Sequence, residues 1–289
     1  MTWEFEAIGT HWKIDLLTEI SDSQASDIFK LIQKRIAVYD KHYSRFRDDS
    51  LIASMSKQSG EYVLPDDAKP LFDLYEKMYR LTNGSVTPLI GNVLSDAGYD
   101  ATYSLEPKSL SSPMHWELAM EYAFPKLLIK QPVLIDVGAA GKGYLIDIVG
   151  DLLQRNGVSA FTINAGGDIL HADVPEKKIR VGLEHPNDST SVIGVAQIGN
   201  ESICGSAGNR RAWKQFHHIM DPFTLTSPKH LAAVWVIAKN ARTADALTTC
   251  LFFVEPEVLQ KEFDFAYLIV SAEYTFKMSQ DFPAELFIT

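Results

Sequence analysis

Hydrophobic and polar residues alternate at the start of the chain and then change to a helical spacing. Residues 3–8 and 12–16 alternate on either side of Gly9-Thr10, which predicts a β-hairpin. A long helix is predicted over 23–42, where an apolar stripe is formed by Ile28, Leu31, Ile32, Ile36 and Val38. Residues 49–58 and 68–82 also have helical patterns, and the second pattern stops at Asn83-Gly84.

The second half of the chain is rich in short strand patterns. These lie at residues 160–164, 169–172, 179–183, 192–198, 202–206 and 232–238, and helices are predicted at 144–155, 241–253 and 256–263. Residues 100–130 are irregular, with several serines and prolines, and are predicted to form a surface excursion. Because strands follow one another in runs, we expect an α+β fold: one large domain over 1–289, with mostly antiparallel strands and flanking helices.

Composition and charge narrow the class of protein. The chain has 289 residues, 46% of them hydrophobic, so it can bury a sizeable core. Its formal charge is −10 with no basic run, which argues against nucleic acid or an anionic membrane as the main partner. No run approaches the roughly 20 apolar residues of a membrane helix, and no export signal is seen, so a cytoplasmic protein is expected. Cys204 and Cys250 are far apart, which favours buried thiols over a disulfide or a zinc site.

Residues 136–147 have the pattern of a phosphate-binding loop. Apolar residues 133–135 predict a strand, Gly138, Gly141 and Gly143 predict a tight loop, and a helix pattern follows. Glycines let the backbone approach an anion at a helix N-terminus, and Lys142 adds a positive charge. The residue after Lys142 is glycine rather than the Ser or Thr of a Walker A loop, and the G-x-G-x-x-G spacing is absent. An ordinary glycine turn before a core helix therefore remains the alternative.

Two further groups could carry chemistry. Asp245 and Thr249 are four residues apart on a predicted helix, so their oxygens share a face and could bind Mg²⁺. The alternative is that Asp245 interacts with the helix dipole and Thr249 packs. His217 and His218 end a short apolar strand before Asp221, and one of them could act as an acid or base. Adjacent strand residues point to opposite faces, so at most one is expected in a site, and both could be structural.

Seven segments, taken in order, resemble the ApbE family of FAD:protein FMN transferases. They are residues 5–10, 44–46, 136–147, 164–169, 180–186, 218–222 and 244–249. The resemblance implies a T-fold-like α+β architecture and an enzyme that binds FAD with Mg²⁺. Such an enzyme transfers the FMN half to a threonine or serine of an acceptor flavoprotein and releases AMP. Without an export signal, we expect that acceptor to be cytosolic.

The resemblance also implies roles for individual residues. Asp245, Thr249 and the backbone carbonyl of Gly141 would bind Mg²⁺, and His218 would activate the acceptor hydroxyl. The remaining FAD-binding positions would be Gly138, Lys142, Gly143, Asn164, Ala165, Gly166, Gly167, Asp168 and Arg180.

Three positions depart from the family pattern. Thr87 stands where the family has an aspartate before proline, and Phe223 where it has an arginine after proline. Ala207 stands where the family has the serine of a Thr-Ser-Gly segment. These changes affect expected substrate contacts more than the expected metal ligands. Two alternatives stay open. An Mg²⁺-dependent FAD pyrophosphatase would use water at the same site, and the three changes favour a flavin-binding protein without chemistry.

Overall fold

An antiparallel sheet forms the centre of the protein. The structure is a computed structural model and describes residues 1–209 and 211–287, so residues 210 and 288–289 of the predicted domain lie outside the description. The order of the sheet is β1 (Thr2–Ala7), β2 (Thr10–Leu16), β6 (Phe161–Ala165), β7 (Asp168–Ala172), β10 (Ser202–Ala207), β13 (Leu231–Ala238), β14 (Ala266–Ser271) and β15 (Phe276–Met278). Each neighbouring pair is antiparallel, which confirms the predicted α+β class.

Smaller sheets and helices surround this central sheet. A three-stranded sheet has the order β16 (Ala284–Leu286), β9 (Asp188–Ile198) and β8 (Ile179–His185); a second has the order β3 (Gly60–Val63), β5 (Lys126–Ile129) and β4 (Met120–Ala123). A short hairpin joins β11 (Ala212–Trp213) and β12 (Phe216–His217). The helices are α1 (Asp22–Tyr43), α2 (Leu51–Met55), α3 (Lys69–Leu81), α4 (Gly91–Asp96), α5 (Trp116–Ala119), α6 (Gly141–Arg155), α7 (Ala241–Cys250) and α8 (Pro256–Leu259), with 3₁₀ turns at Asp66–Ala68 and Pro88–Ile90.

The central sheet is covered on both faces. Cys204 and Val236 pack in the main core with the helices, whereas their neighbours Ile203 and Ile237 pack in a second core with the sheet of β8, β9 and β16. Because successive side chains of a strand point to opposite faces, this alternation creates three layers. The layers are helices, the central sheet and the small sheet.

Helix α1 forms where its pattern predicts, but its buried face differs. Ser21 caps the helix by accepting a hydrogen bond from the Gln24 amide. The buried residues are Ala25, Ile28, Ile32, Ile36, Tyr39 and Tyr43. Leu31 and Val38 are 46% and 40% exposed. At about 100° per residue they lie roughly 100° or more away from the centre of that face. Their inclusion in the predicted stripe was wrong.

The strand predicted at 133–135 is also wrong. Val133 and Ile135 are buried, as expected of apolar residues, but they join no sheet. The Val133 amide donates to the Met55 carbonyl at 3.1 Å, and the Asp136 amide donates to the Pro88 carbonyl at 2.7 Å. The segment thus belongs to no sheet, and its backbone bonds to the end of α2 and to the 3₁₀ turn at Pro88–Ile90.

Other differences concern the ends of elements. The helices predicted at 49–58, 241–253 and 256–263 are shorter, namely α2, α7 and α8. Segment 100–130 is irregular only to residue 115 and then forms α5, β4 and β5. Strand β5 pairs with β4 on one side and with the unpredicted β3 on the other. Strand β14 was missed because it is covered on both faces and lacks alternation. Among the described helices, none combines the length and apolar composition needed to cross a membrane.

Candidate active site

One cavity of about 740 Å³ lies where α6, α7, the β6–β7 turn and β8 meet. Nine of the predicted site residues line it: Gly138, Lys142, Asn164, Gly166, Gly167, Arg180, His218, Asp245 and Thr249. The other four, Gly141, Gly143, Ala165 and Asp168, are buried and are not among the residues that line it. The structure therefore gathers side chains that are more than 100 residues apart in the sequence.

The loop before α6 is held from behind by side chains. The Tyr75 hydroxyl accepts a hydrogen bond from the Ala139 amide at 3.2 Å, and Asp136 Oδ1 accepts one from the Gly138 amide at 2.6 Å. The buried Arg45 guanidinium forms an ion pair with Asp136. These bonds fix the loop where it enters the helix. The positive N-terminal end of α6 is therefore held at the cavity wall, where it favours an anion.

Lys142 is placed between two carboxylates. Its Nζ atom forms an ion pair with Asp168, which is 1% exposed, and lies 4.0 Å from Asp245 Oδ1. The other oxygen of Asp168, Oδ1, accepts a hydrogen bond from the Gly205 amide at 3.2 Å. Asp168 thus holds the lysine from behind the wall, although Asp168 itself does not line the cavity.

Asp245 and Thr249 share the same wall, as their spacing predicts. Burial raises the pKa of Asp245, and the nearby Lys142 opposes that change. Asp245 Oδ2 accepts a hydrogen bond from the Gly143 amide at 2.8 Å. The neighbouring Thr248 is buried instead, and its hydroxyl donates to the Asp245 carbonyl at 2.7 Å. A buried carboxylate and a hydroxyl one turn apart suit a hard divalent cation that takes few protein ligands.

The predicted role of Gly141 as a backbone metal ligand falls on a carbonyl that already has a hydrogen-bond partner. This carbonyl accepts the Tyr39 hydroxyl at 2.8 Å and lies in the first turn of α6. Carbonyls in a helix point toward its C-terminus, away from the N-terminal end that meets the cavity. Ala139 lines the cavity just before the helix. Because a carbonyl oxygen has a second lone pair, the metal-ligand role of Gly141 stays a prediction.

A tight turn places Asn164 at the cavity. Gly166 and Gly167 join β6 to β7 with φ angles of 62° and 99°, which glycine adopts at little cost. The Asn164 side-chain oxygen accepts the Gly167 amide at 2.9 Å. A Cβ atom at Gly166 would lie 2.1 Å from Thr10 Oγ1, so the turn packs directly against the β1–β2 turn. The side chain of Ala165, in contrast, is fully buried in the main core.

The two histidines have separate environments. His218 lines the cavity and His217 does not, as predicted, although β12 ends at His217 and His218 lies in the bend that follows. His217 Nε2 lies 2.9 Å from the Pro228 carbonyl, and its Nδ1 accepts the Ile219 amide at 3.3 Å. Burial lowers the pKa of His217, so its ring is a neutral structural group that donates from Nε2.

An aromatic wall was missed by the sequence interpretation. The Arg45 guanidinium lies 4.2 Å from the Phe46 ring centre and 4.9 Å from that of Tyr99, and both rings line the cavity. Tyr99 also stacks on Trp213 at 5.5 Å. Arg211, which lines the cavity as well, was missed for the same reason. No local periodicity marks any of these residues, because they come together only in the folded chain.

The positions that depart from the family pattern also lie at or near this cavity. Thr87 and Ala207 line it. The Thr87 hydroxyl accepts the Leu89 amide at 3.2 Å, so it caps the adjacent 3₁₀ turn. Phe223 is 53% exposed, and its ring lies near Gly84. The departures therefore alter the surroundings of the site and leave Lys142 and Asp245 in place.

The cavity wall combines a helix N-terminus, a lysine and a buried carboxylate with a hydroxyl one turn away. Proteins that bind a phosphorylated ligand together with a divalent cation have these features.

The chain belongs to the ApbE family, whose family model matches residues 8–266. The FAD:protein FMN transferase of Vibrio cholerae is 29% identical over 271 aligned positions, covering 86% of this chain and 80% of that protein. That of Escherichia coli K12 is 22% identical over 311 aligned positions, covering 98% and 88%.

Solved structures show the same fold. The ApbE protein of Thermotoga maritima superimposes with a TM-score of 0.82 at 21% identity, over 97% of both chains. The flavin transferase ApbE of Vibrio cholerae gives 0.79 at 20% identity, over 96% of both chains. The likeness in fold therefore extends over nearly the whole chain.

Proposed function

We propose that this protein transfers FMN from FAD to a threonine or serine hydroxyl of an acceptor flavoprotein, with Mg²⁺ as cofactor and AMP as the second product. Family membership and relatives with the name FAD:protein FMN transferase support the transfer. The observation that carries the proposal for this chain is that Lys142, Asp245, Thr249 and His218 line one cavity of about 740 Å³. That volume falls in the range of roughly 300–1,000 Å³ that small-molecule sites occupy.

FAD would bind with its pyrophosphate at the N-terminus of α6. The loop at Gly138 and the charge of Lys142 would meet the phosphates, and the residues Asn164 to Asp168 and Arg180 would border the flavin. Asp168, being buried, would act by holding Lys142. A bound Mg²⁺ would offset pyrophosphate charge, held by Asp245, Thr249 and the carbonyl of Gly141.

The acceptor hydroxyl would attack the phosphorus atom of the FMN half. A phosphoester bond to the acceptor forms, the anhydride bond breaks, and its electron pair leaves with AMP. His218 would take the proton of the hydroxyl, a contribution of roughly 10²–10⁴ in rate for a well-placed general base. The anhydride already contains a good leaving group, so positioning and proton removal carry most of the catalysis.

The test is an incubation of the protein with FAD, Mg²⁺ and an acceptor flavoprotein domain. Flavin fluorescence that stays with the acceptor band on a denaturing gel is the expected result. Controls are EDTA and an acceptor whose target threonine is replaced by valine. Loss of the signal in both controls supports a metal-dependent transfer, and an acceptor that stays unlabelled with unchanged FAD contradicts it.

Two other functions could use the same cavity. An FAD pyrophosphatase would place water where the acceptor hydroxyl lies and would release free FMN with AMP in the same assay. A binding protein without chemistry would leave FAD intact; the neutral residues at Thr87 and Ala207 in the cavity wall favour testing for it. The predicted cytoplasmic location, which cell fractionation would test, makes the acceptor a cytosolic protein.

A further inference from the structure

We propose that Asp147 is a positioning residue for the metal site: it fixes the N-terminal end of α7 and thereby the place of Asp245 and Thr249. The proposal rests on the proposed function, because it takes these two residues as metal ligands. Asp147 does not line the cavity and so can act only through α7.

Helices α6 and α7 cap each other reciprocally. Asp147 of α6 accepts hydrogen bonds from two amides at the start of α7, from Ala241 to Oδ1 at 2.8 Å and from Arg242 to Oδ2 at 3.0 Å. In return, Asp245 of α7 accepts the Gly143 amide of α6 at 2.8 Å. Each carboxylate therefore satisfies N-terminal amides that its partner helix cannot satisfy internally.

The spacing makes the two sets of bonds a single unit. Gly143 and Asp147 are four residues apart on α6, and Ala241 and Asp245 are four residues apart on α7. Residues at this spacing lie on one face of a helix, one turn apart. Because the first residue of each pair bonds to the second of the other, the helices run antiparallel at this contact. Asp147 thus fixes α7 one turn away from the carboxylate that would bind the metal.

The helices approach too closely for independent movement. A Cβ atom at Gly143 would lie 2.2 Å from the Ala241 carbonyl oxygen and 2.7 Å from Asp245 Cβ. The backbones are therefore in direct contact, and a shift at the start of α7 must move Asp245 as well. One oxygen of Asp245 is used by Gly143, while Oδ1 lies on the Lys142 side. The direction of Oδ1 then depends on how the two helices are held.

Helix α7 has a second capping residue, which allows the positioning role of Asp147 to be tested separately from helix capping. Asn240 accepts the Thr243 amide through its side-chain oxygen at 2.9 Å. This bond stabilises the N-terminus of α7 but makes no link to α6. Helix α7 should therefore still form without Asp147, attached less firmly to α6. Asn240→Ala is a matched control, because it removes a cap of α7 without removing the link between the helices.

The experiment measures metal binding directly, by titrating the full-length protein with Mn²⁺ as a spectroscopic substitute for Mg²⁺ and following free Mn²⁺ by electron paramagnetic resonance. Asp147→Ala should raise the Kd for Mn²⁺ about tenfold or more, the loss typical when a group that orients metal ligands is removed. Asn240→Ala should leave the Kd for Mn²⁺ nearly unchanged, although thermal unfolding should show that this variant is destabilised. Asp147→Asn keeps one acceptor oxygen and should have an intermediate Kd.

Each outcome decides the proposal. Equal Kd changes in Asp147→Ala and Asn240→Ala, or a normal Kd in a folded Asp147→Ala, would overturn it. If Asp147→Ala does not fold, Asp147→Asn takes its place, and a normal Kd there would overturn the proposal. Asp245→Ala is the reference variant. If it retains normal Mn²⁺ binding, the metal assignment itself fails and this proposal fails with it; if it loses Mn²⁺ while the Asp147 variants do not, only the positioning role is wrong.

Discussion

Replacing Gly143 by alanine tests the close contact of α6 and α7 most directly. The new Cβ atom would lie 2.2 Å from the Ala241 carbonyl oxygen, whereas ordinary van der Waals contact begins at 3.4 Å. The Cβ atom would thus lie about 1 Å too close to backbone atoms, which cannot rotate away as a side chain can. We therefore expect a steric cost in the upper part of the roughly 1–3 kcal/mol range by which overpacking destabilises a protein.

Alanine also favours a helix over glycine, which offsets part of this cost. The gain is at most about 1 kcal/mol, so the net loss in the free energy of unfolding should be about 2 kcal/mol. For a chain of 289 residues, whose entropy of unfolding is about 0.6 kcal/mol/K, that corresponds to a fall in Tm of roughly 3 °C. Because the helices must separate, the Gly143 amide should also lose its bond to Asp245, and the Kd for Mn²⁺ should rise.

Gly150→Ala is a control in the same helix. Its Cβ atom would meet the Leu170 Cδ2 atom at 2.7 Å, the end of a flexible side chain that can move. The same gain in helix propensity then applies with a smaller steric cost, so Tm should change little. Thermal unfolding by circular dichroism and the Mn²⁺ titration measure both effects. A Gly143→Ala protein with normal Tm and normal Kd, or an equal loss in Gly150→Ala, would refute the argument.

Further variants address the chemistry. Lys142→Ala should weaken FAD affinity at least tenfold by fluorescence titration. Unchanged affinity would contradict the placement of the pyrophosphate beside Lys142. Asp245→Ala should abolish Mg²⁺-dependent turnover while circular dichroism shows a folded protein; full activity would refute the metal assignment. His218→Ala should bind FAD normally but lose FMN transfer, and the assay would disprove the base if transfer continued. Burial lowers the pKa of His217. Below the ordinary histidine pKa of about 6.5, His217 therefore binds a proton in the unfolded chain but not in the folded chain. The free energy of unfolding should then fall as the pH drops from 6.5 toward the lowered pKa of His217. Urea titrations across pH should show a flatter dependence in His217→Gln.

Local hydrophobic patterns predicted the elements in which the spacing of buried residues is that of a strand or a helix. The β1–β2 hairpin and α3 follow their periodicity closely, and α1 forms at the predicted place although Leu31 and Val38 lie off its buried face. Residues 133–135 did not form a strand, because an apolar run shows that a segment is buried and not which backbone it pairs with. The bonds of this segment to carbonyls of α2 and of a 3₁₀ turn are decided by tertiary structure.

The candidate site, too, could be predicted from sequence only in part. Lys142, Asp245 and His218 could be selected from sequence because each belongs to a motif with a chemical reason. The partner of Lys142 was assigned to the flavin pocket, but Asp168 is buried and pairs with the lysine. Tyr99 had no signal, since its place in the cavity wall depends on the irregular chain around it. Sequence thus indicated the reactive groups, and the groups that hold them required the folded chain.

The cavity is assembled from both ends of the chain, and this has a consequence for protein synthesis. Its lining begins at Gly9 in the first hairpin and ends at Phe253, just after α7. A nascent chain still on the ribosome would contain the phosphate loop long before it contained Asp245 and Thr249. An early fragment could therefore attract a nucleotide without holding the metal that completes the site. The reactive arrangement would be completed only near the end of translation, so unfinished chains would not consume FAD.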